Sequence, residues 1–434
     1  MTVSRNNGAQ SARRLLVCCV NYAPEMLGSA PYTAGLAGWF RAHGWDVRVV
    51  TTYPYYPEWR RRPGDPTFGY RRETEGGVAV WRCPVWLPGS PGGARRLIHY
   101  ASFAASSLPA MLAQAAWRPA VTLVVAPTLA SSPAALLAAR LSRGSAWLHV
   151  QDFELDVALR LGLLPKASAR MLRGVQRRLL RSFDLVTTIT PQMAVVAGQS
   201  GVEPGRLELL PNWAYLDQVR PLDRPSRFRD TLGLAGDRPV VVYTGSLGRK
   251  QGAGLIAAAA ELAQRRGSRT LFVVAGEGAA KSELQRTVTS KRLPNVRLLP
   301  LQHGDDFNEL LNLADAHLIV QAAGVADLVM PSKLSNALAS GRPVVVTAAD
   351  DTGLAQLVRD NDVGVVVPPG DPGALVSGID SLLSSGAAAR RQGDNARAFA
   401  EEHLDKDRLL APLLERLSDG LRPSARDTLR SWPR

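Results

Sequence analysis

PSKLSNALASGRPVVV, residues 331–346, packs a helix start, a helix stop and an apolar strand into one short stretch. Pro331 and the polar Ser332 open the helix, and Gly341 ends it. The small residues Ala337, Ala339 and Ser340 let that helix lie close to a sheet. PVVV, from Pro343, then reads as a strand buried on both faces, as in a parallel sheet. The first amides of any helix lack an internal partner and attract anions, phosphate above all. Lys333 sits in the first turn, where a positive charge opposes the helix dipole unless an anion is bound. A phosphate-binding turn is therefore expected at Ser332–Leu334, with an ordinary capped helix and a solvated lysine as the plain alternative.

The same grammar extends in both directions. Apolar runs of strand length alternate with helical patterns from Leu15 (LLVCCV), Val47 (VRVV), Val121 (VTLVVA), Trp147 (WLHV) and Leu185 (LVTTIT). A second series starts at Val240 (VVVYTG), Leu271 (LFVVAG), Val296 (VRLLP), His317 (HLIVQ), Pro343 (PVVV) and Val363 (VGVVVP). Two such series predict an α/β protein of two Rossmann-like, doubly wound domains facing a cleft. Pro211, Pro221 and Pro225 mark the linker between them. The expected boundaries are a polar tail at 1–13, an N-terminal domain at 14–211 and a C-terminal domain at 212–403. A last helix follows at 404–420, with the N-terminal domain as its candidate packing partner.

Ligands of doubly wound sheets bind beyond the carboxyl ends of the strands. Candidate residues are therefore sought there. After the first strand, NYAPEMLGSAPYT offers Gly28 and Ser29 as a loop able to approach an oxygen or phosphate, though a plain strand-to-helix connection has the same look. HVQDFELD places Asp152 just past a strand, making it the best carboxylate for a cleft. His149, three residues earlier, faces the opposite side and reads as a core histidine. VVYTGSLGRKQG brings Gly245, Ser246, Arg249 and Lys250 into a glycine-rich turn that could clamp a diphosphate. VVAGEG puts Gly276 and Glu277 at the next strand end. Gln302 and Gln321 follow later strands and could read a polar ring edge, while Asp305 or Asp306 would cap a helix.

The chain has 434 residues and a formal net charge of +14, unevenly spread. Residues 1–217 carry 24 basic and 13 acidic side chains, against 28 and 25 in residues 218–434, so the first half holds +11 of the excess. Seven of nine tryptophans and seven of nine tyrosines precede residue 150. A basic, aromatic surface suits an anionic membrane or an anionic substrate; a general preference for arginine is the alternative. Only six lysines occur, and Lys250 and Lys333 both fall in the proposed phosphate segments. Where arginine is the default, a retained ammonium suggests a site that needs a point charge. Three cysteines form neither a metal spacing nor a disulfide framework, and the first thirteen residues lack the apolar run of a secretory signal. A cytoplasmic location is expected. The weakly polar stretch from Leu97 to Trp117 contains His99, Pro109 and Gln114 and suits a soluble or surface-lying helix better than a membrane span.

Taken together, NYAPEMLGSAPYT, YPYYPEW, VWRCP, HVQDFELD, LPNW, GSLGRKQG and VADLVMPSKLSNALASG resemble, in order and over nearly the whole chain, the retaining family-four glycosyltransferases of two-Rossmann (GT-B) fold. That resemblance implies transfer of a sugar, fucose being one candidate, from a GDP- or UDP-linked donor to a lipid-linked oligosaccharide or polysaccharide precursor. It implies no metal and no cofactor, and work at the inner face of the cell membrane. By carry-over, Lys250, Lys333 and the amides around Ser332–Leu334 hold the diphosphate, with Gly245, Ser246, Arg249, Gly276, Glu277, Gln321 and Pro331 completing the donor site. Leu299–Gln302 receive the base, and Asp327 and Asn336 lie near the sugar or ribose. Asp152 takes the catalytic position of the N-terminal domain, and Gly28 and Ser29 back the phosphate and acceptor. The chain departs from the family where Ser246 and Gln251 replace an arginine and a lysine, and where Leu328 and Asn336 replace two glutamates eight apart. An epimerase or hydrolase on the same fold is the competing enzyme reading. A nucleic-acid-binding protein is the other, without a recognisable module to support it.

Overall fold

A computed structural model describes residues 13–89, 92–127, 129–153, 155, 166–234, 236–247, 252–321 and 331–421. Contacts divide the chain into two compact units, one of Met1–His149 with Val175–Val186, the other of Val150–Gly174 with Thr187–Arg434.

The first sheet begins with β1 (Arg14–Cys19), α1 (Ala30–Ala42) and β2 (Asp46–Thr52). It continues through β3 (Arg71–Glu75), β4 (Val78–Cys83), α2 (Gly93–Ala115), β5 (Val121–Ala126), α3 (Ser132–Ser142) and β6 (Ser145–Val150). Next come α4 (Lys166–Leu180), β7 (Leu185–Thr188), α5 (Pro191–Gln199) and β8 (Leu207–Leu209). The spatial order is β3-β4-β2-β1-β5-β6-β7-β8, and β1, β2, β4 and β5 run parallel. Leu15–Cys19 and all of β5 are buried, as continuous aliphatic runs between helical layers should be. Cys18 and Cys19 sit in that core.

The edge pair β3–β4 is antiparallel and is missing from the series of apolar runs. RRETEGGVAVWRC is too polar to read as a buried strand. Its signal is instead Gly76–Gly77 between two alternating segments, and both glycines adopt positive φ, as a two-residue hairpin turn requires.

The second sheet comprises β9 (Val240–Ser246), α6 (Ala253–Arg265), β10 (Leu271–Glu277), α7 (Lys281–Ser290) and β11 (Val296–Leu299). Its other half is α8 (Asp305–Leu313), β12 (Ala316–Ile319), α9 (Ser332–Ala339), β13 (Val344–Thr347), α10 (Gly353–Asp360) and β14 (Gly364–Val367). The helices α11 (Pro372–Ser384), α12 (Gly386–His403) and α13 (Lys406–Ser418) end the described chain. The order β11-β10-β9-β12-β13-β14 reverses direction between β9 and β12. Such a reversal, at the carboxyl ends of β9 and β12, is where doubly wound folds place their ligands. Aliphatic residues of β9, β10 and β12 pack on α6 and α11, and the opposite face of β13 packs on α9 and α12. The helix α8 differs from expectation in a small way: Gly304, not an aspartate, occupies the cap, and Asp306 pairs with Arg227.

Candidate active site

Near the reversal point lie the ends of β9 and β10 and the start of α9. At the end of β9, Gly245 pairs in register with Gly276 of β10, and Ser246 with Glu277. A Cβ on Gly276 would run into the Gly245 carbonyl, so the two strand ends close up only because no side chain stands there. Leu247 then exchanges backbone bonds with Glu277 and Ala280, both 2.8 Å, which anchors the start of the glycine-rich turn. Arg249 and Lys250 of that turn lie outside the described residues, as does Asp327.

Helix α9 begins as the sequence predicts, with Pro331 at the cap and no side-chain capping bond. Lys333, half-buried in its first turn, reaches back to β9. Its Nζ donates to the Tyr243 hydroxyl at 2.5 Å and lies 3.8 Å from the centre of that ring. The Tyr243 hydroxyl in turn donates to the Ser246 carbonyl at 2.7 Å. Lys333 Cε passes 3.7 Å from the position a Cβ on Gly245 would take, so the ammonium stem lies along the strand end. Burial away from water pushes the Lys333 ammonium down to about 7. The result is a positive charge held by a phenol and a π-face, with no carboxylate pairing with it among the described residues. Tyr243 is the partner of Lys333 that sequence reasoning missed. Its signal was present: one phenol in the otherwise aliphatic run VVVYTG.

The other candidates take varied positions. The Leu334 amide donates to the Pro331 carbonyl at 2.9 Å. Gln321, buried after β12, has its amide on Thr347 Oγ1 at 2.9 Å, and the same hydroxyl donates back to the Gln321 carbonyl at 3.1 Å. Glu277 pairs with Lys281, and Gln302, after β11, donates to the Pro300 carbonyl at 2.9 Å. Asn336 is buried and accepts the Tyr215 amide at 3.0 Å, which ties the inter-domain segment to α9. Ser335, beside it, donates to the Asn212 carbonyl at 2.9 Å. Asn212 and Gln151 exchange both amide bonds, at 2.8 and 3.0 Å. The residue before Asp152 is thereby locked to the chain that anchors the start of α9, and Asp152 itself is half-buried. The buried His149 lies in β6.

In the first unit, Gly28 has φ +70° and Ser29 caps α1 without using its side chain. This loop stands on Glu25, which is 3% exposed. Its carboxylate accepts the Tyr55 and Tyr56 amides and Asn21 Nδ2, each at 2.8 Å. Burial raises the Glu25 carboxyl above its ordinary range despite those bonds. Among the described residues, no group of three or more His, Cys, Asp or Glu side chains is arranged to hold a metal ion.

Residues 226–399 match the family described as Glycosyl transferases group 1, and residues 28–213 match the Glycosyl transferase 4-like domain. The chain is also 36% identical over 405 residues to a glycosyl transferase of Escherichia coli strain K12, provisionally named WcaI and assigned to colanic acid biosynthesis. That match spans 92% of this chain and 98% of the relative. The chain belongs to the group 1 glycosyltransferases. Solved structures of similar fold include a sucrose-phosphate synthase from Thermosynechococcus elongatus, with a TM-score of 0.73 at 17% identity, covering 94% of this chain and 98% of that one. Another is Anabaena Alr3699/HepE in complex with UDP-glucose, with a TM-score of 0.69 at 16% identity over 94% and 99%. In this glycosyltransferase, as in other doubly wound proteins, the second sheet's reversal point is where the fold offers a ligand crevice. Lys333 lies on Tyr243 at the end of β9.

Proposed function

We propose that this glycosyltransferase is a retaining, metal-independent enzyme. It moves a sugar, with fucose the first candidate, from a GDP- or UDP-linked donor to a lipid-linked oligosaccharide or polysaccharide precursor. It does so at the inner face of the cell membrane. The polysaccharide assignment is supported by the name of the Escherichia coli relative, and the nucleotide-sugar donor by the UDP-glucose in the Anabaena structure. The observation that carries the reading is the Lys333 ammonium, set on Tyr243 beside Gly245 with no carboxylate pairing with it among the described residues.

The donor diphosphate supplies the missing counter-charge. As the bond from the anomeric carbon to the phosphate oxygen breaks, its electron pair passes to the diphosphate. Lys333 and the first amides of α9 stabilise that charge from fixed positions, and Lys250 joins them in the proposal. Because the Leu334 amide is already engaged by Pro331, more of this task falls on the ammonium. The acceptor oxygen bonds the anomeric carbon on the face that the phosphate leaves, and its proton passes to the departing phosphate oxygen. Asp152 orients the sugar or the acceptor hydroxyl. Gly245, Ser246, Gly276 and Glu277 form the floor under the diphosphate, Gln302 and Gln321 face the nucleoside, and Asp327 and Asn336 lie toward the sugar.

Calorimetry with GDP-fucose, GDP-mannose and UDP-sugars tests the reading, followed by turnover with and without lipid-linked acceptor. Binding of one nucleotide class and acceptor-dependent release of its nucleoside diphosphate is the expected result. Binding of none, or turnover that ignores the acceptor, would falsify it.

A further inference from the structure

The loop after β2 carries an aromatic run, YPYYPEW at Tyr53–Trp59, that the transfer chemistry leaves unused. Tyr53 and Tyr55 are buried, whereas Tyr56 and Trp59 stay part-exposed. Trp59 has φ +53°, in the left-handed region that bulky side chains avoid. Its ring packs on Tyr55 and the buried His99, with centroids 5.2 and 5.1 Å apart, and meets Tyr56 edge-to-face at 6.5 Å. Burial does not offset that backbone strain, because the indole keeps a surface open to solvent. A strained, part-exposed aromatic points to something that the ring has to meet.

The run is fixed from beneath. Glu25, in the loop after β1, accepts both the Tyr55 and the Tyr56 amide. Arg82, 1% exposed, donates to the Ala23 carbonyl at 2.6 Å and to the Thr52 carbonyl at 3.1 Å, so the loops after β1 and β2 are joined twice. His99 donates from Nδ1 to the Trp86 carbonyl at 2.7 Å, which leaves Nε2 to accept the Tyr55 hydroxyl at 2.9 Å. Tyr56 Cε1 comes to 3.8 Å from the position a Cβ on the exposed Gly28 would take. β1 and β5 flank the reversal point of the first sheet, and both loops leave carboxyl strand ends there, where doubly wound folds place ligands. Charge at the rim is mixed: Glu58 and Arg60 are both exposed, and Arg96 donates to the Tyr100 hydroxyl at 2.9 Å. Such a rim suits neutral hydroxyls better than phosphate.

We infer that Tyr56 and Trp59 form a stacking platform for a pyranose ring of the saccharide acceptor, with Glu58 and Arg60 at its rim to meet the hydroxyls. The choice of occupant rests on the transferase reading. A pyranose presents a face of C–H bonds edged by hydroxyls, and aromatic rings with polar neighbours match both. An anion would gain nothing from the rings, and the buried Glu25 beneath them disfavours it.

Two readouts keep this inference apart from the transferase reading. In saturation-transfer NMR, full-length protein with methyl β-D-glucoside or methyl β-D-galactoside at about 20 mM should mark the ring C–H protons. Trp59→Asn, whose side chain tolerates a left-handed backbone, should lose that signal yet melt close to wild type, because relief of strain offsets the lost ring contacts. In turnover with nucleotide sugar and lipid-linked acceptor, Trp59→Asn should raise the acceptor KM on the order of tenfold and leave the donor KM and kcat unchanged. Tyr56→Ser should give the same split, and Trp59→Phe, which keeps a ring, should retain most of the wild-type affinity. Phe68→Ser, at a position 84% exposed, should change nothing. No signal from either glycoside with wild type, a signal that survives Trp59→Asn, or a donor KM that rises with or without the acceptor KM overturns the inference. Turnover that ignores the acceptor while the NMR contrast holds removes the transferase reading and leaves the platform a pyranose site.

Discussion

Replacing Lys333 by Met should make the protein more stable and less active. The shift of the ammonium from 10.5 to about 7 corresponds to about 5 kcal/mol of desolvation that the charged form carries in the unliganded fold. A methionine in its place gives up the hydrogen bond and ring contact with Tyr243, worth roughly 2 kcal/mol. Met keeps the stem and removes the charge, so the net gain is about 3 kcal/mol, enough to raise the melting temperature by roughly 5 °C or more. The sign with pH follows from the folded value lying below the unfolded one. Between pH 7 and 10.5 the unfolded chain binds the extra proton, so this group's contribution to stability rises with pH across that window. The advantage of Lys333→Met should therefore be full at pH 6 and shrink toward zero at high pH. Turnover should fall by a factor on the order of 10²–10³, the usual cost of losing one preorganised charge-stabilising donor. Wild-type enzyme binding UDP or GDP at pH 8 should take up a proton as the diphosphate restores the ammonium, visible as a buffer-dependent binding enthalpy that the variant lacks. A variant that melts lower than wild type at pH 6, or one that keeps full turnover, refutes this account.

Tyr243→Phe keeps the ring and removes the hydroxyl that joins Lys333 to the Ser246 carbonyl; turnover should drop about tenfold and the pH–rate limb near 7 should move, with little change in melting temperature. Gly276→Ala drives a Cβ into the Gly245 carbonyl, and should cost about 1–3 kcal/mol in urea unfolding together with a raised donor KM. Asn212→Ala leaves the buried Gln151 amide without its reciprocal partner, so the midpoint of denaturation should fall by the equivalent of about 1–3 kcal/mol, and Gln151→Ala added to it should cost less than the sum of the two alone.

Sequence alone carried the strands of the second sheet and their alternation with helices, because buried parallel strands read as continuous aliphatic runs punctuated by proline, serine and glycine. It also placed Lys333 in the first turn of a helix, since that depends only on local order; that no side chain caps this turn came from the structure. The hairpin β3–β4 escaped notice because an edge strand has no need of an apolar run. Tyr243 escaped because its meaning depends on a residue ninety positions away. Likewise, nothing local says that Gln151 and Asn212 exchange amides, that Asn336 is spent on the Tyr215 backbone, or that Tyr56 and Trp59 meet beside Gly28. These belong to the tertiary structure, where contacts between distant segments decide which polar groups are satisfied, which charge is stripped of water, and which aromatic rings stay part-exposed.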